Sequence, residues 1–489
     1  MRWMRTVLPV GLMLASCVTA RQAVAQATTN ALEIGGHEQL FLDDYVVART
    51  ENITRRINVA HKHPDPLVPA DPWAGGLKVI FGTALRDGDE GRFKMWYYDT
   101  GNMAYATSRD GLRWKEPRFD IFLRGYRSPT NIVVYRPSMY SKAPEGVETK
   151  DFAPLREVCG VVKDPRDPDE TRRYKAAFVS IEGRRRGLGT AVSPDGIHWR
   201  VENGFATEGI RDISRFFWDE TLKRFVLYGR VMLADQPPDS PWAKWGRGRA
   251  VARTASADFR EWTKPQLVLA ADPQDPSNTE TYSMSVFPYE GVYIGLVQMY
   301  YADREVLNFQ LAVSRDGLTW TRVSPRDEFL PMGDVGSWDR FNVSLGNLPP
   351  VSVGDEWWFY YGARTVREHS YRGPDSGPRI GRIGLAKVRR GRLVSLEASF
   401  DGGTVVTKPL AIDGVQLSLN ANARWGHIEV ELLGADERPV PGWTARVERK
   451  DAIAIPVGFE NGGFGPLRDR PVRFRFTLHN ARLYGFRVE

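Results

Sequence analysis

Phe93-Lys94-Met95-Trp96-Tyr97-Tyr98, Met103-Ala104-Tyr105-Ala106-Thr107 and Ser108-Arg109-Asp110-Gly111-Leu112-Arg113-Trp114 follow one another as two aromatic and β-branched runs closed by a turn motif. Runs of this composition, separated by turn residues, predict a strand meander ending in an Asp-Gly turn. The aspartate can accept hydrogen bonds from turn amides, the glycine tolerates positive φ, and the tryptophan can cover an apolar edge. The closing motif S-x-D-G-x-x-W recurs at Ser193 to Trp199 and at Ser314 to Trp320. A fourth copy, Ser256 to Trp262, keeps Ser, Asp and Trp but carries Phe259 in place of glycine. A fixed repeat of one supersecondary unit is the mark of a stacked architecture, in which no unit buries both of its faces alone.

Working outward, a fifth unit lacks the motif but keeps the strand order, with Glu356-Trp357-Trp358-Phe359-Tyr360-Tyr361, a polar loop, and Ile380 to Val388. The units fall near residues 78–118, 155–203, 212–268, 281–325 and 340–396. The fold class expected is all-β: a five-bladed β-propeller over residues 28–396, followed by a β-sandwich module over residues 397–489, where shorter alternating strands replace the motif. The stretch Glu38 to Ile57 is expected to supply the outer strand that closes the ring with blade five.

Residues 1–27 read as a secretion signal, with Arg2 and Arg5 ahead of an apolar run, Val7 to Ala20, too short to span a bilayer. Two readings of it stay open. Ala25-Gln26-Ala27 fits ordinary signal cleavage, while Leu14-Ala15-Ser16-Cys17 resembles a bacterial lipoprotein signal with a lipidated cysteine. The localisation expected is secreted or periplasmic, with a lipid anchor at the envelope as the second reading and no membrane span. Without the leader only Cys159 is left of the two cysteines, so no intramolecular disulfide forms and the core must supply stability. The formal charge of +7 shrinks when Arg2, Arg5 and Arg21 leave, and it is scattered apart from Arg184-Arg185-Arg186, which reads as a solvated loop. That balance gives no case for nucleic acid. No G-x-G-x-x-G, Walker or H-E-x-x-H motif is present, so no cofactor is expected. The sequence is silent on oligomeric state.

In a propeller the first strand of each blade begins near the axis, so unit starts converge on one pocket. Unit three opens with Arg211-Asp212, unit four with Thr279-Glu280-Thr281-Tyr282, and unit five with Trp338-Asp339-Arg340. Cleaving a glycosidic bond needs one carboxylic acid to protonate the leaving oxygen and one carboxylate to act as nucleophile or activate water. Asp212 and Asp339, each beside an arginine, suit the base or nucleophile, and Glu280, near Tyr282, suits the acid. The bland alternative is that all three only bind turn amides. His61-Lys62-His63-Pro64 would place two imidazoles on one side of a strand with no third ligand evident, so substrate hydrogen bonding or a structural loop is read there and no metal. Asp71, Asn131, Arg211, Arg340, Arg364 and His369 are further candidates for a sugar-binding rim. Trp73, Tyr282 and Trp338 could stack on sugar rings, or belong to the packing between blades.

With these residues in view, the chain resembles the five-bladed propeller glycosidases of the invertase and arabinanase type, glycoside hydrolase families 32 and 43. The resemblance rests on the Trp-Tyr-Tyr strand followed by S-x-D-G-x-x-W and implies a carbohydrate substrate. It implies an acid on the first strand of blade one, an aspartate in a middle blade and a glutamate as general acid; Asp212 and Glu280 match the latter two by position. At blade one no W-x-N-D-P-N-like sequence occurs, and Asp71 or Asp44 is proposed by position alone. Three readings follow: a glycoside hydrolase, a non-catalytic carbohydrate-binding surface protein, and a phosphorylase of related fold, for which Arg211 and Arg340 would hold phosphate.

Overall fold

The computed structural model describes residues 31–68, 77–99, 101–124, 128–135, 155–235, 248–367, 380–434, 436–467 and 470–489. The chain divides into two compact units, Val59–Arg390 and a second made of the residues up to Asn58 together with Gly391–Glu489. Among the described residues both are built from antiparallel strands, apart from the parallel pair Leu32–Glu33 and Leu410–Ala411, with short 3-10 turns besides.

Among the described residues, Val59–Arg390 carries five antiparallel sheets of four or five strands. Their first strands are Lys78–Asp87, Arg156–Lys163, Arg215–Asp219, Thr279–Tyr289 and Phe341–Leu345. In four of the sheets the first strand pairs with the next in sequence, as the meander reading requires, and in the fifth Phe341–Leu345 pairs with Glu356–Arg364, past the short Val351–Val353. Lys78–Asp87 is flanked by Arg156–Lys163 and Phe341–Leu345, Arg156–Lys163 by Arg215–Asp219, and Arg215–Asp219 by Thr279–Tyr289. Phe341–Leu345 abuts the fourth sheet through Val306–Ser314. This ring of first strands makes the unit an all-β propeller with the sheets as its blades.

The turn motif works as its residue types require. Ser108 Oγ accepts from the Gly111 amide at 2.9 Å, and Asp110 Oδ1 accepts from Leu112 and Arg113 amides at 2.9 and 2.8 Å. Trp114 Nε1 donates to the Gly111 carbonyl at 3.1 Å. That carbonyl also takes the Tyr360 hydroxyl of the fifth blade at 3.0 Å. Likewise the Gly196 carbonyl takes Trp96 Nε1 of the first blade at 2.7 Å, and the Gly317 carbonyl takes the Tyr228 hydroxyl of the third at 2.7 Å. Gly111, with φ +75°, has no room for a side chain, since a Cβ would lie 2.7 Å from the Tyr360 hydroxyl. In the fourth copy Phe259 takes the left-handed turn position at φ +66° and is fully buried. The position on the second blade that corresponds to Trp96 is the small Ala177, in the same core cluster, so bulk has moved from one side of the contact to the other.

The ring is closed by a strand from the start of the unit. His61–Lys62 pairs with Ala386 and Lys387 as the outermost strand of the fifth blade. This corrects the expectation that Glu38 to Ile57 would close it. Those residues fold with the sandwich instead: Val47–Glu51 pairs with Gly403–Thr407, and Thr54–Ile57 with Val394–Ala398. The reason is apolar. Phe41, Val46 and Val47 are buried in the sandwich core with Leu419, Val430, Phe474, Phe476 and Phe486, where each large side chain is worth about 1.5–3 kcal/mol on burial. The propeller unit therefore begins at residue 59, and the C-terminal module begins at 391 and is completed by residues up to 58.

That second unit is a sandwich of two antiparallel sheets, one centred on Ala481–Val488 and Leu417–Asn422, the other on Arg473–His479 and His427–Leu433. Arg473–His479 alternates buried Phe474, Phe476 and Leu478 with polar neighbours, the period of a sheet with one covered face.

Candidate functional site

The first strands converge on a cavity of about 160 Å³ to which all five blades contribute. Phe81 and Tyr98 come from the first blade, Glu157, Val158 and Cys159 from the second, and Asp212 and Ile213 from the third. Tyr282, Gln298 and Leu307 come from the fourth, and Asn342, Ser344 and Arg364 from the fifth. Further along the same strands the axis is filled. Arg215 donates to the carbonyls of Cys159 at 2.6 Å and Leu345 at 2.8 Å. Asn347 brackets the Phe216 backbone, accepting at 2.8 Å and donating at 2.7 Å. Burial lowers the Arg215 guanidinium to about 10, so it stays charged at neutral pH.

The backbone around the cavity is irregular in a way that aims side chains at it. Pairing with the second strand slips between Val79 and Thr83, Arg156 and Gly160, Thr281 and Ser283, and Phe341 and Ser344. Such bulges re-aim a residue that strict alternation would place elsewhere. Glu157, Ile213 and Asn342 all have left-handed backbone, at φ +48°, +50° and +56°. Each such non-glycine residue costs on the order of 1–3 kcal/mol, and their clustering at one cavity is the pattern of a functional site.

Two carboxylates line the cavity, Asp212 and Glu157. Arg230 Nη2 donates to Asp212 Oδ2, and the Arg230 guanidinium lies 4.6 Å from the centre of the Tyr282 ring. Although burial alone would lower it, the Asp212 charge, with Tyr282 and Glu157 adding to it, holds Arg230 above its ordinary value. Asp212 Oδ1 and Asn342 Oδ1 are buried acceptors with no hydrogen-bond partner among the described residues. Burial pushes the Cys159 thiol up to about 11 against the opposing charge of Arg215, and its Sγ donates to the Glu157 carbonyl at 2.8 Å. Cys159 is thus a neutral wall of the cavity at physiological pH.

Of the residues read from sequence, the cavity brings together Asp212, Tyr282 and Arg364. The arginine partnering Asp212 is Arg230, not its sequence neighbour: Arg211 pairs with Asp235 at 2.6 Å. Glu280 is not among the lining residues; it accepts from Arg249 Nη1 at 2.6 Å and from the Arg249 amide at 3.1 Å. Asp339 is nearly buried and accepts from Lys62 at 2.7 Å, Ser337 at 2.9 Å and Tyr361 at 3.0 Å. Burial would raise its carboxyl, but Lys62 and these hydroxyls bring it below the ordinary value. Trp338 stacks on Tyr361 at 5.4 Å, and Arg340 lies 4.7 Å from the centre of the Phe341 ring. Asn131 donates to the Tyr97 hydroxyl at 2.8 Å and the Tyr105 carbonyl at 3.1 Å, a packing role within blade one. His61 is on the outer closing strand. Asp44 belongs to the sandwich unit, where it pairs with Arg55, and so supplies no acid to the first blade. Asp71, Trp73 and His369 lie outside the described residues, as do residues 1–27, read as a secretion signal, with Cys17. Glu157 was not legible beforehand, because a bulge, not a periodic pattern, turns it inward. Among the described residues no cluster of His, Cys, Asp and Glu could hold a metal ion, and no helix is long and apolar enough to cross a membrane.

No family model matches the chain, and no curated protein matches it. Solved structures do. An N-acetylgalactosamine deacetylase from F. plautii, in complex with blood group B trisaccharide, is 16% identical, covering 69% of this chain and 96% of that one at a TM-score of 0.46. A member of the GH130 family of mannoside phosphorylases, described as containing hydrolases that target β-1,2 mannosidic linkages in Candida mannan, is 15% identical, covering 72% and 97% at 0.43. A thermostable family-43 glycoside hydrolase is 12% identical, covering 66% and 92% at 0.42. None of the three assigns a family or an activity to this chain.

Proposed function

We propose that the protein is a glycoside hydrolase acting on a poly- or oligosaccharide at the axial cavity, with Asp212 and Glu157 as its carboxylate pair. The observation that carries this reading is the lining itself: two carboxylates, the amides of Gln298 and Asn342, the Ser344 hydroxyl, Arg364 and two tyrosines around one cavity. Sugar hydroxyls are the donors that the buried acceptors Asp212 Oδ1 and Asn342 Oδ1 call for. Asp212, ion-paired to Arg230, takes the part of the carboxylate that attacks the anomeric carbon or draws a proton from water. Glu157 is the carboxyl that delivers a proton to the leaving oxygen. Glu280, bound to Arg249, and Asp339, with Lys62 and two hydroxyls on it, serve as struts in this scheme. The reading of residues 1–27 as a secretion signal supports action outside the cytoplasm.

The test is a screen of the purified protein against plant and algal polysaccharides and aryl glycosides, beside Asp212→Asn and Glu157→Gln. Sugar release by the parent that both variants lose supports the pair. Release that Glu157→Gln retains and Glu280→Gln loses would move the acid to Glu280. Binding without release, unchanged in all variants, would make the protein a carbohydrate-binding propeller.

A further inference from the structure

The sandwich unit presents two of the most exposed large apolar side chains of the described chain, Phe400 at 86% and Trp425 at 79%. Both are aromatic, both stand on turns, and both turns are fastened to one dipeptide, His479-Asn480. The Asn480 amide N–H donates to the Ser399 carbonyl at 2.9 Å, beside Phe400. The Asn480 side-chain amide donates to the Trp425 carbonyl at 3.0 Å. Glycines make this approach possible: a Cβ on Gly402 would lie 2.5 Å from the His479 ring, and one on Gly426 would lie 1.9 Å from the His479 carbonyl oxygen. The His479 ring stacks on His427 at 4.7 Å, and the Arg424 guanidinium lies 5.6 Å from the centre of the Trp425 ring. The exposed rings are therefore carried on a fixed base and set among imidazole, amide and guanidinium groups.

We infer that this end of the sandwich is a carbohydrate-binding surface, separate from the axial cavity, on which Phe400 and Trp425 stack against the C–H faces of sugar rings. The ligand chemistry follows from the mixture. A pyranose ring has an apolar face and an equator of hydroxyls, and so matches a flat aromatic ring bordered by hydrogen-bonding side chains. An apolar protein partner would be met by a wider apolar surface than two rings among polar groups. A surface of this kind would hold the protein on a polymer whether or not the propeller cleaves it.

Retardation of the full-length protein in native gels containing xylan, arabinan, mannan, agarose or pectin tests this, with Trp425→Ala and Phe400→Ala beside the parent and Asp212→Asn as a control for the cavity. The expected result is retardation by at least one polymer, weakened about ten-fold by Trp425→Ala, the scale of one lost aromatic contact, and retained by Asp212→Asn. Both aromatic side chains are exposed, so unchanged melting temperatures are expected of the variants. No retardation in any polymer, or retardation equal in parent and both aromatic variants, overturns the inference. So does loss, in the variants, of binding to phosphatidylglycerol–phosphatidylethanolamine vesicles or of a parent dimer in gel filtration, with polymer binding unchanged; those results would assign the rings to a lipid surface or to a second copy.

Discussion

The Tyr360 hydroxyl of the fifth blade donates to the Gly111 carbonyl of the first at 3.0 Å, and so fastens the last blade to the turn of the first. Tyr360→Phe removes that donor while Trp114 Nε1 still serves the same carbonyl. The expected loss is about 1 kcal/mol of unfolding free energy, the usual net value of one such bond, measured by urea denaturation.

Where glycine is replaced by Phe259, the facing Ala177 makes room. Phe259→Gly should cost about 3–5 kcal/mol through the cavity it leaves, and Ala177→Trp alone about 1–3 kcal/mol through overpacking. The double variant recreates the Trp96–Gly196 arrangement and should be more stable than the sum of the two losses. A double-mutant cycle by denaturant unfolding measures the coupling.

The closing strand is held by the Lys62–Asp339 pair, whose carboxyl lies below its ordinary value in the folded protein. A carboxyl lowered on folding stabilises fully above its unfolded pKa, about 3.9, and loses that contribution as pH falls through the folded value. Asp339→Asn should therefore lower the melting temperature at pH 7, and the gap to the parent should close as the pH is taken below about 4. A series of thermal melts from neutral pH into acid reads this directly.

Cys159, fully buried with its thiol at about 11, should react with a thiol reagent at neutral pH only as fast as the protein opens. Native protein lacking residues 1–27, and so Cys17, mixed with a chromogenic disulfide should show no prompt release, and one full equivalent after unfolding.

Arg230 pairs with Asp212 without lining the cavity itself. Arg230→Gln leaves the carboxylate without its cation, an unpairing that costs about 3–5 kcal/mol when the pair is buried and less here because Asp212 is partly exposed. In the scheme proposed above it should also lower sugar release, measured beside Asp212→Asn.

The repeat made the architecture legible. S-x-D-G-x-x-W specifies a local turn whose amides are bound by its own Ser and Asp side chains, so three copies and a fourth with Phe259 located the blades from the chain alone. Asp212 and Tyr282 were legible as residues near the axis for a related reason, since a regular repeat places unit starts there. Beyond that, the sequence by itself determined strand order and the alternation that buries Phe474 and Phe476. Only the tertiary structure decided which distant segments meet. Which strand closes the ring depended on competition between two apolar surfaces, and the core that takes Phe41 and Val47 drew Glu38 to Ile57 into the sandwich, leaving His61–Lys62 to the fifth blade. Likewise Arg230 rather than Arg211 reached Asp212, and a bulge turned Glu157 into the cavity. Ion pairs and bulges answer to position in space, and neighbours in sequence on a strand point to opposite faces.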